Sequence, residues 1–238
     1  MTVLAALPQR VAWVPGAPVL VPELAMGGIG EVDNVRGAVR HVLSKVMEGI
    51  GSALVVGAGS GSFEPGARGS FADLGRDVPV RLASTPARSA SGEHRLAGMS
   101  LPLLVGAHLL NEVVGRAAAD VWALGVDAGG PAAPASRPAA PWALIVVADG
   151  STRRTPGAPG SFHPDAQAWD TALADALAGG DAAALGSLSS QQAHAVGCHD
   201  VAVWQWAGLS LPGSWSGELV LHEAPLGVGY FVASWSSS

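Results

Sequence analysis

Short apolar runs alternate with longer amphipathic stretches along this 238-residue chain. Four of the runs are almost wholly apolar and of strand length, which is typical of strands covered on both faces of a sheet. A shorter run and two C-terminal runs add further strand candidates. In chain order, the predicted strands are residues 10–14, 52–57, 78–82, 121–126, 142–148, 218–222 and 227–235.

The stretches between these runs have helical periodicity. In residues 31–50, apolar side chains recur at steps of three and four, at Val32, Val35, Val39, Val42, Leu43, Val46 and Ile50. Further helices are predicted over residues 101–119, 164–178, 181–188 and 190–209. Strands that alternate with helices indicate an α/β fold with a central, mostly parallel mixed sheet and helices on both faces.

One domain over residues 1–238 accounts for this pattern. Residues 128–141 (AGGPAAPASRPAAP) interrupt it with an Ala/Pro segment that lacks core-forming residues. Because the pattern is the same on both sides, we expect a flexible surface loop there and not a domain boundary.

Composition and charge exclude several classes of protein. The net charge is −6 and the basic residues form no stripe, so we expect no nucleic-acid binding. Cys198 is the single cysteine, which rules out an internal disulfide and a cysteine-based zinc site. The N-terminal apolar run lacks a basic region before it, and no window is long enough for a membrane helix. We therefore expect a cytoplasmic protein without a membrane partner.

Several sequence blocks, taken together and in order, resemble a known superfamily. They are VPGAPVLVPEL after the first strand, LVVGAGSGS at the second, LPLLVGAHLL on the long helix, VVADGSTRRTPGAPG after the central strand, and WSGELVLHEAPLGVGYFVASW near the end. This order resembles the B-subunit-like proteins of the class III extradiol ring-cleavage dioxygenases, to which the Memo proteins are related. The blocks are most similar to actinobacterial members, and the similarity covers most of the chain.

The resemblance implies a non-haem Fe(II) site, which needs two imidazoles and a carboxylate with open positions for substrate. The family's first histidine would fall at Gly16 and the second within Gly57–Gly59, while Thr152 stands where a catalytic histidine is usual. Glycine has no ligand atom, and a threonine hydroxyl is a poor base near neutral pH. We therefore expect a pseudoenzyme without Fe(II) or any other cofactor, which binds a small ligand or a protein.

The alternative is a divergent enzyme with an unorthodox site near Asp149, Arg153, His222 and Glu223. His222 and Glu223 lie where the family's third ligand arises, but neighbours on a strand point to opposite faces, so at most one can face a pocket.

A turn after the central strand supplies the ligand-binding candidates. Its residues are Asp149, Ser151, Thr152, Arg153 and Arg154, to which His222 and Glu223 are added. The carboxyl ends of strands in open α/β sheets bind ligands, and paired arginines favour an anionic group. A small anionic or aromatic ligand is therefore expected, although the same residues could simply organise a turn.

Other motifs leave alternatives open. The loop GAGSG at residues 57–61 could bind an anion through its N–H groups or form a tight turn, and it departs from the dinucleotide fingerprint at Ser62. Ser60 and Ser62 do not form a nucleophile elbow. His108 is interpreted as a hydrogen-bonded buried histidine and His41 as a solvated one. His194 and His199 have poor spacing for a metal pair.

The eight tryptophans suggest self-association. Trp204 and Trp206 lie in an apolar C-terminal helix, and aromatic residues concentrate at interfaces. We expect a homodimer, with the alternative that the tryptophans fill the core.

Overall fold

The apolar runs form the strands of one mixed sheet in the computed structural model, which describes residues 7–25, 30–86, 98–114, 119–131, 138 and 140–237. The strands are β1 (Arg10–Val14), β2 (Ser52–Ala58), β3 (Ser62–Phe63), β4 (Arg68–Ser70), β5 (Pro79–Arg81), β6 (Asp120–Asp127), β7 (Gly130–Pro131), β8 (Ala143–Val147), β9 (Trp215–Glu223) and β10 (Tyr230–Ser237). The predicted α/β class is confirmed.

The strand order of the main sheet is β3-β6-β2-β8-β1-β10-β9, with β7 paired to β6. The four central strands β6, β2, β8 and β1 are parallel, whereas β10 is antiparallel to both β1 and β9. Because β9 therefore runs in the direction of β1, the carboxyl ends of five strands share one edge of the sheet. The predicted strand near residues 78–82 exists as β5, but it pairs with β4 in a separate two-stranded sheet.

Helices cover both faces of the sheet. They are α1 (Asp33–Met47), α2 (Leu101–Val114), α3 (Ala166–Gly179), α4 (Ala182–Gly186), α5 (Ser190–Ala195) and α6 (Val201–Ser210), with 3₁₀ turns at Pro18–Leu20, Gly30–Val32 and Ala72–Leu74. Side chains alternate along each strand, so Val55 packs under α1 and α2 while Leu54 and Val56 face α3 to α6. Two apolar cores result, one on each side.

Two predicted helices differ from the structure. The continuous helix over residues 190–209 is broken into α5 and α6, because Gly197 adopts a left-handed φ of 70° between them. The helix predicted over residues 101–119 ends at Val114 in the described part, and residues 115–118 lie outside it. Most of the predicted Ala/Pro loop, residues 132–137 and 139, also lies outside the described residues.

All eight tryptophans are buried within the chain. Trp13 stacks on Trp204 with ring centroids 5.4 Å apart and meets Trp235 edge-on at 4.8 Å. This is the core-filling alternative, so Trp204 and Trp206 do not offer an exposed aromatic interface. The homodimer stays a prediction, which light scattering tests.

No helix within the described residues combines the length and the apolar character that a membrane span requires.

We predict opposite effects from adding a methyl group at two helical glycines. A Cβ at Gly106 would lie 2.5 Å from Val147 Cγ2 and 2.9 Å from Val55 Cγ1, whereas a Cβ at Gly37 meets nothing within 4 Å. Overpacking costs about 1–3 kcal/mol, while Gly→Ala in a helix gains about 1 kcal/mol. Urea denaturation should therefore show Gly106→Ala less stable than the parent and Gly37→Ala slightly more stable. Equal effects would contradict this packing of α2.

Candidate functional site

The loops predicted to form a site meet at the carboxyl edge of the parallel strands. Gly16 follows β1, Gly59 follows β2, and Asp149 follows β8. The Gly16 N–H donates to Asp149 Oδ1 at 3.0 Å, which joins the first and third of these loops directly. His222, the residue before the last of β9, lies at the same edge. The structure thus brings together segments that are far apart in sequence.

The positions at which the resemblance implies iron ligands are closely packed, most severely at Gly59. A Cβ at Gly59 would lie 2.5 Å from Ser100 Oγ, and φ is 139° there, a value that side chains rarely adopt. A Cβ at Gly57 would be 3.0 Å from Pro102, and one at Gly16 would be 3.3 Å from Val147 and 3.4 Å from Pro102. These residues do not fit Fe(II). Among the described residues, no group of three or more His, Cys, Asp or Glu side chains could hold a metal ion.

The side chains of the turn after β8 are bonded to the protein itself. Thr152 Oγ1 donates to the Gly197 carbonyl at 3.0 Å, and Ser151 Oγ donates to the Val196 carbonyl at 2.6 Å. Arg153 Nη1 donates to the Ala195 carbonyl at 2.7 Å. These hydrogen bonds hold the turn against the break between α5 and α6. They therefore favour the alternative in which Ser151, Thr152 and Arg153 organise the turn.

Arg154 belongs to a second network at the same edge. Its Nη1 lies 2.8 Å from Asp170 Oδ2 and 3.3 Å from His222 Nε2. Asp170 is fully buried, and burial raises its pKa while the hydrogen bonds from Arg154 and Ser151 oppose that rise. Both arginines are therefore engaged by the protein, and the paired-arginine anion site has no support from these contacts.

His222 and Glu223 separate as expected for neighbours on a strand. The His222 ring stacks on Phe231 with centroids 4.7 Å apart, and its pKa is lowered by burial and then by the charge of Arg154. Glu223 is exposed and does not join the network. The pairing of β9 with β10 shifts by one residue between Val232 and Ala233, which leaves Val220 without a partner. As a result, Leu219 packs in one core and Leu221 in the other.

Two carboxyl groups meet where β8 ends, and only Asp149 was anticipated from sequence. The Asp149 N–H donates to Asp200 Oδ2 at 2.8 Å. Burial, and then the neighbouring charge of Asp200, raise the pKa of Asp149 to about 8. Burial also raises the pKa of Asp200, while His199 lowers it. Burial raises the pKa of the Tyr230 phenol, and the charge of the nearby Asp149 raises it further. The edge thus holds two neighbouring carboxyl groups whose pKa values are both raised by burial.

Sequence reasoning missed Asp200 and Tyr230 for a physical reason. The helix predicted over residues 190–209 put Asp200 in its interior, whereas the structure has Asp200 directly before α6, where aspartate is a common helix cap. In the structure, its side chain makes no cap hydrogen bond and accepts from Asp149 instead. Tyr230 begins an apolar strand and looks like an ordinary core residue. The available signal was Gly197, a residue that disfavours a continuous helix, three positions before Asp200.

A pocket of about 750 Å³ lies beside this pair, between the carboxyl ends of β2 and β6 and helix α6. We call it the carboxyl-edge pocket and define it by Gly59, Val126, His199, Val203, Trp206 and Leu209. His194 and His199 were set aside as a metal pair, yet both line this pocket. His199 also connects it to the carboxyl pair through its effect on the pKa of Asp200.

The glycine-rich loop forms a tight turn against β6. The Gly59 N–H donates to the Val126 carbonyl at 3.1 Å, and the Gly125 N–H donates to the Gly61 carbonyl at 2.9 Å. A Cβ at Gly125 would lie 2.6 Å from Ser60 N. The Gly59 N–H is therefore already used, which favours the turn over an anion cradle.

Among the other histidines, His163 joins the turn after β8, where its N–H donates to the Arg153 carbonyl at 3.0 Å, while His41 lies on α1 and His108 on α2. His41 is exposed on α1, as expected, and His94 is outside the described residues. The expected hydrogen bond of His108 was wrong. Its buried Nε2 lies 3.6 Å from Glu112 and 3.9 Å from Glu23, and no described residue is within hydrogen-bonding geometry of that atom.

Comparison with family models and with curated proteins gave no match to this chain.

The raised pKa of Asp149 predicts a specific dependence of stability on pH. The unfolded chain loses this proton near pH 3.8, whereas the folded chain keeps it up to about pH 8. The folded state therefore binds more protons within that window, and stability falls as pH rises through it. Asp149→Asn mimics the protonated group and removes this slope. The variant should gain stability relative to the parent between pH 4 and 8, by at most about 1.4 kcal/mol per pH unit.

Urea denaturation at several pH values measures that difference, which should level off above pH 8. Taking the difference also cancels His222, whose lowered pKa makes stability fall as pH drops below 6.5. Asp73→Asn, at an exposed carboxylate, controls for the change in charge. A parent-to-variant difference that stays constant from pH 4 to 8 would contradict a protonated Asp149.

Proposed function

We propose that this chain is a metal-free ligand-binding protein with a class III extradiol dioxygenase-like fold, and that it binds a small aromatic molecule at the carboxyl edge of its sheet. The carboxyl-edge pocket carries this proposal. Its volume of about 750 Å³ lies in the range of small-molecule sites, and the carboxyl ends of strands are where open α/β sheets bind ligands. Its walls are largely apolar, with the Trp206 ring and the Val126 and Leu209 side chains among them.

The absence of side-chain ligand atoms at Gly16, Gly57 and Gly59 supports binding over iron-dependent ring cleavage. Gly16, Gly57 and Gly59 are packed against neighbouring atoms, and Gly59 has a backbone conformation that disfavours histidine. The Thr152 hydroxyl is committed to the Gly197 carbonyl, so the position of the family's catalytic histidine is part of a structural turn. The donor set that Fe(II) requires has no counterpart in these contacts.

The carboxyl pair favours a second candidate, a metal-free enzyme that uses acid–base chemistry. A carboxyl group with a pKa near 8 is protonated at neutral pH and could donate a proton to a bound molecule. Of the residues in the enzyme alternative expected from sequence, Asp149 therefore has this support, and Asp200 joins it. Arg153 donates to backbone carbonyls and Glu223 is exposed, so neither supports it.

We also propose a cytoplasmic location. Cys198 is buried, and its thiol donates to the Asp149 carbonyl at 3.6 Å, as suits a protein that keeps its single cysteine reduced.

Filling the pocket should abolish binding of a small aromatic probe. Ala202 lines the carboxyl-edge pocket on α6, and Ala168 lines a different pocket on α3. We expect ¹⁹F NMR titration with 4-fluoroacetophenone to show saturable binding to the parent and to Ala168→Phe. Ala202→Phe should lose it, because the added ring occupies the site. Binding that survives in Ala202→Phe, or no binding to the folded parent, would overturn the pocket as the ligand site.

Iron should not bind stoichiometrically, and one restored histidine should not recover it. After anaerobic Fe(II) loading and desalting, elemental analysis should find well below one equivalent in the parent and in Gly59→His. Oxygen uptake with catechols should be absent, and Gly59→His should lower the urea midpoint because of its contact with Ser100. Gly37→His adds the same imidazole to an exposed helix and controls for adventitious metal. One equivalent of iron with catechol-dependent oxygen uptake in the parent would refute the metal-free proposal.

A further inference from the structure

Two histidines can bring positive charge to the carboxyl-edge pocket. Among the described residues that line it there is no Lys or Arg, but His194 of α5 and His199 of the segment before α6 are present. Both residues are exposed, so a molecule in the pocket can reach their side chains. Neither imidazole hydrogen-bonds to another described residue, which leaves the ring nitrogens free for a ligand.

Ser190 adds a hydrogen-bond donor beside His194. The two residues are four positions apart on α5, so their side chains are neighbours on one face of the helix, and both line the pocket. The Gln205 amide donates to Ser190 Oγ at 3.2 Å and to the Leu188 carbonyl at 2.6 Å. Because Ser190 Oγ accepts from Gln205, its own hydrogen is left for another acceptor. The α5 side of the pocket therefore presents donors.

The other side of the pocket is apolar. Val126 of β6 and Val203 and Leu209 of α6 line it, and Leu209 is 47% exposed. Small-molecule sites typically combine such apolar walls with a few polar groups that fix the orientation of the ligand. A molecule with a flat apolar body and an acceptor group at one end matches this division.

We propose that the carboxyl-edge pocket binds an aromatic carboxylate, with its anionic group toward His194, His199 and Ser190 and its ring against the apolar wall. This inference rests on the proposed function and names the chemical class of its ligand. A carboxylate accepts hydrogen bonds from imidazole and from a hydroxyl, and a bond between two charged groups is stronger than one between neutral groups.

The carboxyl groups near the two imidazoles oppose an anion only in part. Asp127 lines the pocket, but its Oδ1 accepts from the Gly129 N–H at 2.8 Å in the turn between β6 and β7. Asp200 lies beside His199 and accepts from the Asp149 N–H, and burial raises its pKa, which favours the uncharged form. Among the described lining residues, Asp127 is the one carboxylate. Protonation of the imidazoles therefore shifts the balance toward an anion.

A carboxylate and a ketone of similar shape should respond differently to pH. In ¹⁹F NMR titrations, 4-fluorobenzoate should bind the parent about fivefold more tightly at about pH 6 than at about pH 8, where histidines lose their charge. The affinity for 4-fluoroacetophenone should change by less than about twofold, because the ketone carries no charge. EDTA in every titration removes metal that could bridge the imidazoles.

Histidine variants assign the effect to these side chains. His194→Gln and His199→Gln each remove the charge and keep a hydrogen-bonding group. Each should weaken 4-fluorobenzoate binding at about pH 6 by about fivefold and leave the ketone affinity unchanged. His41→Gln, at an exposed histidine of α1, controls for the loss of an imidazole elsewhere and should change neither affinity. Ala202→Phe should abolish binding of both probes.

The outcomes distinguish this inference from the proposed function. If the ketone binds in an Ala202-dependent way but the benzoate gains nothing at the lower pH, the pocket stands and the carboxylate preference fails. The preference also fails if benzoate binding survives both histidine substitutions or persists in Ala202→Phe. If neither probe binds the folded parent, the proposed function itself falls. Urea denaturation of each variant establishes that it is folded.

Discussion

The hydrogen bonds around Asp149 hold the functional edge of this protein together. Its carboxyl group accepts from the Gly16 loop, its N–H donates to Asp200, and its carbonyl accepts from the Trp204 indole. One residue thus connects the end of β1, the end of β8 and the start of α6. Since three polar groups inside a largely apolar region must all be satisfied, the loops have little freedom to rearrange. The positions of Gly16, the turn after β8 and the adjoining pocket all depend on this arrangement.

Two kinds of chemistry lie side by side at this edge. The Asp149–Asp200 pair is polar and able to hold a proton, while the carboxyl-edge pocket is mainly apolar and suited to an aromatic ring. His199 belongs to both, because it lines the pocket and lowers the pKa of Asp200. Ligand binding and proton transfer are therefore neighbouring possibilities within one region, and they need not exclude each other. The same fold supports either, since its loops and not its sheet determine the chemistry.

The sequence predicted the sheet well because its signal is local. Continuous apolar runs such as residues 52–57 and 142–148 became β2 and β8, and parallel pairing then put Gly16, Gly59 and Asp149 at one edge. The site was harder to predict because its determinants are contacts between distant segments. Asp200 fell inside the helix predicted over residues 190–209, and the arginine pair looked available until Asp170 and the Ala195 carbonyl were seen to engage it. Trp206 resembled an interface residue, although it is buried against its own chain. Packing partners, which a single sequence does not display, decided each case.

The crowding around Gly59 has an evolutionary consequence. The glycine contacts Ser100 on one side, and the neighbouring strand brings Gly125 against the backbone of Gly59 and Ser60 on the other. Each residue at this junction must be small because its neighbours occupy the space that a larger side chain would need. A larger residue at position 59 would be tolerated only after Ser100 and the loop backbone had changed, so substitutions at this junction depend on one another. The order in which such substitutions can accumulate is therefore constrained by the packing itself.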